Sequence, residues 1–125
     1  MGQHRILLVD DEPPVRAVLR RILKDPSRVL DEAGSLAEGR KRMAEGGFDL
    51  LIADLRLGDG SGWDLVKEAR ERHPKMPVLV ITGSPEDDSE DRAEELQVTG
   101  YVNKPFDITA MRKTVAEALG RGTGG

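Results

Sequence analysis

Three short runs without a single polar residue constrain this chain most: Ile6-Leu-Leu-Val9, Leu50-Leu-Ile-Ala53 and Val78-Leu-Val-Ile81. Each has strand length and no alternation, which predicts a strand buried on both faces. Such strands need helices above and below, and the alternation of strand and helix patterns along the chain supplies them as a parallel α/β sheet. Each run then ends on polar groups: Asp10-Asp11-Glu12, Asp54 and Thr82-Gly83-Ser84. A carboxylate at the end of a buried strand is costly without a partner. The C-terminal edge of an open parallel sheet is also where this architecture places its chemistry.

Two weaker strands complete the set. Arg28 to Ala33 carries Asp31 and Glu32 inside it and suits a sheet edge. Gly100-Tyr-Val102 is short and precedes Asn103-Lys104-Pro105-Phe106. The first helix starts at Pro13-Pro14 and turns Val15, Val18, Leu19, Ile22 and Leu23 to one face. Arg16, Arg20, Arg21 and Lys24 fall on the other face, which reads first as solvated and second as a docking surface for an acidic partner. Ser35-Leu-Ala-Glu38 is a capping box for the second helix, ended by Gly46-Gly47. Ser61 caps the third, with Trp63, Val66 and Ala69 inward and His73-Pro74 at its close; His73 and His4 read as surface residues.

Ser84-Pro-Glu-Asp87 caps a fourth helix of unusual composition. Seven acids and one arginine lie between Glu86 and Glu95, and the clearest apolar residues are Ala93 and Leu96. So little apolar surface anchors a helix weakly. Asp107 caps a fifth helix whose Ile108, Met111, Val115, Ala118 and Leu119 face the core and which Gly120 stops. Residues 1–120 therefore form one domain, and 121–125 a flexible tail or trimmed linker.

With 125 residues there is one core and no second domain. There is no cysteine, hence no disulfide frame and no cysteine metal site. No run approaches membrane-spanning length and no signal-peptide pattern opens the chain, so a soluble, cytoplasmic setting is expected. A net charge of −4 argues against a nucleic-acid surface, and one Trp, one Tyr and two Phe are too few to stack bases or sandwich a flavin.

A parallel sheet brings Asp10-Asp11, Asp54, Thr82 and Lys104 to one edge from four strands. Asp10, Asp11 and Asp54 offer hard oxygen ligands for Mg²⁺ or Mn²⁺. A metal there offsets their mutual repulsion and shields incoming phosphoryl oxygens. A carboxylate needs no general base to act as a nucleophile, which points to Asp54 as a phosphoryl acceptor. Lys104 brings a mobile cation to the transferred group, and Thr82 a hydroxyl. No Walker loop and no dinucleotide fingerprint is present. Aspartate-nucleophile phosphatases usually carry a second Asp two residues on; Arg56 stands there.

Ile6-Leu-Leu-Val-Asp-Asp-Glu12, Asp54-Leu-Arg-Leu-Gly-Asp-Gly-Ser-Gly62, Val80-Ile-Thr-Gly83 and Tyr101-Val-Asn-Lys-Pro-Phe106 together resemble the receiver domain of two-component response regulators, over essentially the whole length. The resemblance implies a flavodoxin-like (βα)5 doubly wound sheet of strand order 2-1-3-4-5, an order for which the general rule already uses a receiver as its example. It implies phosphoacceptor Asp54, metal residues Asp10 and Asp11, the Arg56 backbone carbonyl as a further ligand, and Lys104 as the phosphate-binding lysine after a cis Lys104–Pro105 bond. Thr82 and Tyr101 become a switch pair acting on the surface of the fourth helix, the fifth strand and the fifth helix. The implied protein is no conventional enzyme, although it catalyses its own phosphorylation and dephosphorylation. Its partners are a histidine kinase or phosphotransfer protein, an output domain or effector, and a weak phosphorylation-dependent second copy. The alternative is a non-phosphorylated protein-interaction module on the same fold. Three departures stand out: Gly58 where many receivers have Pro, Gln97 where a Gly usually ends the fourth helix, and the acidity of that helix.

Overall fold

The computed structural model describes residues 3–83 and 90–123. The five strands of its main sheet are β1 (His4–Val9), β2 (Arg28–Ala33), β3 (Leu50–Asp54), β4 (Val78–Thr82) and β5 (Gly100–Asn103). They lie in the order β2-β1-β3-β4-β5, all parallel, as expected. The helices are α1 (Pro13–Leu23), α2 (Leu36–Glu45), α3 (Gly62–Arg72), α4 (Glu90–Glu95) and α5 (Ile108–Thr123). A two-residue ribbon, Arg56–Leu57 against Gly60–Ser61, closes the loop after β3.

Pleating sorts each apolar run into two layers. Leu7, Val9, Leu51, Ala53, Val78 and Val80 face α2 and α3, meeting Met43, Trp63, Leu65, Val66 and Ala69. Ile6, Leu8, Leu50, Ile52, Leu79 and Ile81 face α1 and α5, meeting Leu19, Ile22, Leu23, Met111 and Val115. At about 25 cal/mol per Å² these buried aliphatic residues supply the main stabilising term.

The edge strand β2 holds its two acids by pairing them with cations of β1 and α1. Asp31 meets Arg5 at 2.6 Å, and Glu32 meets Arg20 at 2.6 Å and Arg16 at 3.3 Å. The basic face of α1 is thus partly folded back onto the sheet. Ser35 Oγ accepts from the Glu38 amide at 3.0 Å, but the Glu38 carboxylate reaches Gly34 N instead of closing the box. Asp59, 23 residues away, completes this cap by accepting from Leu36 N and Ala37 N. Those two amides hold its carboxyl below the usual range.

Other expectations change. Val18 is 46% and Ile108 52% exposed, against the expectation that Val18 shares the apolar face of α1 and Ile108 faces the core. Val18 lies on the flank of α1, about 100° around from Leu19, and Ile108 opens α5 beyond the end of β5. His4 lies within β1, paired with Arg28, and His73 is a half-buried C-cap. Helix α5 runs through Gly120 to Thr123, because a glycine weakens a helix without ending it. The expected cap at Ser84 lies outside the described residues.

The acidic α4 is held by its C-terminal end. Gln97 takes the left-handed conformation usually left to glycine, with φ 54°. Gln97 N donates to Glu94 O at 3.1 Å and Val98 N to Ala93 O at 2.9 Å, the paired bonds of a Schellman cap. Arg70 on α3 donates to Leu96 O and Gln97 O, and to His73 O, Pro74 O and Met76 O. A cation over the negative end of a helix is favourable. Ala93, Leu96 and Val98 add apolar contact with the core. We expect Arg70→Met to lower unfolding free energy by about 2 kcal/mol, since several carbonyls lose a charged donor together. Gln97→Gly should add up to about 1 kcal/mol by relieving the left-handed strain. Urea denaturation checks both; an Arg70→Met midpoint equal to wild type would show that water replaces the guanidinium without loss.

Candidate active site at the C-terminal sheet edge

Among the described residues, the buried polar or charged side chains are Asp10, Asp54 and Thr82, at 0%, 3% and 2% exposure. All three stand at the C-terminal edge, where backbone register sets them side by side. Val9 pairs Ala53, Asp54 pairs Ile81, and Thr82 pairs Asn103. Lys104 N then donates to Thr82 O at 2.9 Å, which delivers the lysine to the same edge. The Lys104–Pro105 peptide is cis, as the resemblance implied.

Lys104 Nζ donates to Asp54 Oδ2 at 2.8 Å and stands 3.3 Å from Asp10 Oδ2 and 4.0 Å from Glu12 Oε1. Asp54 Oδ1 accepts from Arg56 N at 3.0 Å, so the loop after β3 turns back over its own nucleophile candidate. Asp10 Oδ1 accepts from Glu12 N at 2.8 Å, whereas its Oδ2 is buried and accepts no hydrogen bond. Tyr101 packs with Ala93, Leu96 and Val98 against the α2–α3 core layer, and its hydroxyl is buried.

The acids fit a divalent metal. One oxygen each from Asp10, Asp11 and Asp54 lies within 4.8 Å of the others. Three carboxylates face one ammonium, so positive charge is lacking. The orphan Oδ2 of Asp10 offers a buried ligand, and partly exposed Asp11 leaves room for the waters that Mg²⁺ retains.

Charge is finely held here. Burial pushes the Asp10 carboxyl up to about 6; the Glu12 amide pulls it down, the Asp54 charge pushes it up, and Lys104 opposes. Burial works against the Lys104 ammonium, but its hydrogen bond to Asp54 and the charges of Asp54, Asp10 and Glu12 outweigh it and hold its pKa above the ordinary value. The sign of the pH effect follows. Folded Asp10 keeps its proton up to about 6, against 3.8 for a free carboxyl. Between those values the folded state binds more protons, so stability falls as pH rises across the window. The expected loss for metal-free protein is roughly 3 kcal/mol. Saturating Mg²⁺ should flatten or reverse it, and Asp10→Asn should remove it. Denaturation at pH 4 and pH 6.5 measures this; a metal-free stability that rises with pH equally in wild type and Asp10→Asn would contradict the sign.

Sequence reasoning brought together the acids, Thr82 and Lys104, and the fold seats them at one edge. It missed Arg16, whose Nη1 donates to Asp10 O at 2.6 Å, and Asp59, which ties the loop after Asp54 to α2. For Arg16 the one signal was its place one helical turn after the acidic run; for Asp59 there was none, because its partners are remote in sequence.

The model of the response regulator receiver domain matches residues 6–116. This chain belongs to the response regulator receiver family. The domain is a phosphorylation switch of two-component signalling with Mg²⁺ as its cofactor, and the constitutive interaction module is not favoured. The receiver is 37% identical over 119 residues to the response regulator protein PilR of Pseudomonas aeruginosa, covering 95% of this chain and 27% of PilR. It is 30% identical over 118 residues to the transcriptional regulatory protein CusR of Escherichia coli, covering 94% of this chain and 52% of CusR. The chain thus spans about a quarter to a half of these relatives. The structure of the response regulator TrrA from Thermotoga maritima, in complex with Mg²⁺ and beryllofluoride, superposes with TM-score 0.83 at 27% identity, covering 93% of this chain and 99% of that one. Among the described residues no helix is long and apolar enough to cross a membrane.

Proposed function

We propose that Asp54 takes the phosphoryl group, with Mg²⁺ held by Asp10, Asp11, Asp54 and the Arg56 backbone carbonyl. The single observation that carries this reading is the burial of Asp54 with one oxygen on the Arg56 amide and the other on Lys104. The Asp54 carboxylate oxygen attacks phosphorus, the P–O or P–N bond of the donor breaks, and the leaving group keeps that electron pair. Mg²⁺, when bound, neutralises the phosphoryl oxygens. Lys104 follows the charge from carboxylate to phosphate, and Thr82 offers it a hydroxyl. Arg56 is exposed at the rim of the site, where its side chain screens the acyl phosphate from water. Treatment with acetyl phosphate and Mg²⁺, then borohydride reduction and peptide mapping, is the test. A reduced residue at position 54 is expected; label on another residue would overturn the assignment.

The donor is a histidine kinase or phosphotransfer protein in the cytoplasm, and the receiver of the signal an output domain or effector. Residues 1–120 form the receiver, and 121–125 a tail or linker whose first residues prolong α5. The signal leaves through α4, β5 and α5. Thr82 moves toward the phosphate, and Tyr101, which packs against the same core layer as Ala93 and Leu96, repacks with it. The acids Asp91 and Glu94 pair with Arg112 and Lys113 of a second copy. Such exposed pairs contribute little each, so the dimer is weak and salt-sensitive. We expect beryllofluoride with Mg²⁺ to change amide exchange most at residues 83–106, and Thr82→Ala to suppress the change. Changes confined to the loop after Asp54 would rule this route out.

A further inference from the structure

We propose that Arg16 is a positioning residue for the metal-binding turn and that it sets Mg²⁺ affinity without touching the metal. The inference rests on the assignment of Asp10, Asp11 and Asp54 as the metal carboxylates. Arg16 is six residues past Asp10, on the first turns of α1, and its side chain is 21% exposed. Its Nη1 donates to the Asp10 carbonyl oxygen at 2.6 Å, and its Nε lies 3.3 Å from Glu32 Oε1. A Cβ added at Gly34 would stand 3.2 Å from the same Nη1, so the bare Gly34 backbone makes room for the guanidinium.

The Asp10 carbonyl belongs to the peptide that joins Asp10 to Asp11. A short, charge-assisted hydrogen bond to that oxygen fixes the plane of the peptide. The plane fixes the direction in which Asp11 leaves the chain. The Glu12 amide fixes the Asp10 carboxylate from the other side. Arg16 and Glu12 together hold two metal carboxylates at one spacing.

Charge and position predict opposite signs, which makes the idea testable. Arg16 is a cation near a cation site, so if charge alone mattered its removal would tighten Mg²⁺ binding. If it positions the turn, removal weakens binding. Residues that orient metal ligands typically change affinity by about 10- to 100-fold when removed.

The experiment is calorimetric titration with MgCl₂ of wild type, Arg16→Met and Glu32→Gln, with thermal melting of each in EDTA as a measure of fold. Arg16→Met is expected to bind Mg²⁺ about tenfold more weakly. Glu32→Gln, which loses the ion pair but keeps the Asp10 bond, should stay within about twofold of wild type, whatever its melting temperature. Unchanged or tighter binding by Arg16→Met overturns the proposal, as does equal weakening by Glu32→Gln. Should Arg16→Met not fold, Arg16→Gln carries the same comparison, because its side chain is too short to reach the carbonyl. A wild type without saturable Mg²⁺ binding would instead overturn the metal assignment beneath it.

Discussion

Asp54→Asn is expected to take up no phosphate from acetyl phosphate and Mg²⁺ under conditions that label the wild type once. Replacing a carboxylate oxygen with an amide removes the negative charge that attacks phosphorus and one of the three charges that face the metal. Loss of a sole nucleophile costs on the order of 10³-fold or more in rate. No neighbour stands ready to replace it. Asp10 is fully buried, with Oδ1 committed to the Glu12 amide. Asp11 is partly exposed, whereas Asp54 is buried and accepts from Lys104 at 2.8 Å. Intact-mass measurement reads the outcome. The mutant must keep a cooperative melt, so that loss of label is loss of chemistry. Equal labelling of Asp54→Asn would sink the assignment of the nucleophile.

Gly62→Ala is expected to be the most damaging single-methyl change in the loop after β3. A Cβ at Gly62 would overlap the Asp54 carbonyl oxygen and stand 2.9 Å from its carbon and 3.0 Å from Leu55 Cα. These are backbone atoms of the nucleophile's own strand, held by Leu55 N on Ile81 O at 3.0 Å, so they cannot step aside as a side-chain tip does. Gly62 N also donates to Leu55 O at 2.9 Å. The chain must therefore break that bond, displace α3 or shift Asp54. We expect a loss on the order of 3 kcal/mol and slower phosphorylation of whatever remains folded. Gly58→Ala is the control in the same loop. Its Cβ would meet only Asp11 Oδ2, at 3.5 Å, an ordinary contact. Denaturant midpoints of the two variants decide; a Gly62→Ala midpoint within about 0.5 kcal/mol of Gly58→Ala would show that the loop yields more easily than its bonding implies.

The sequence by itself determined the sheet and the main residues of its edge. Ile6–Val9, Leu50–Ala53 and Val78–Ile81 have no polar residue to turn outward, so only a strand covered on both sides accommodates them, and parallel strands must then collect Asp10, Asp54, Thr82 and Lys104 at one end. Local signals also placed the caps at Ser35, Ser61 and Asp107, because a hydroxyl or carboxylate needs only an amide two or three residues on. Tertiary structure decided what depends on partners far along the chain. Asp59 caps α2 from the loop after β3, Arg16 turns from a helix face back to Asp10, and Arg70 reaches five carbonyls in two segments. None of these pairings is legible in the sequence, since a side chain's type tells which bonds it can make and the fold alone tells which groups lie within its reach. Gln97 shows the same limit: a glycine position was filled by glutamine, and φ 54° is held by a guanidinium that no local pattern announces.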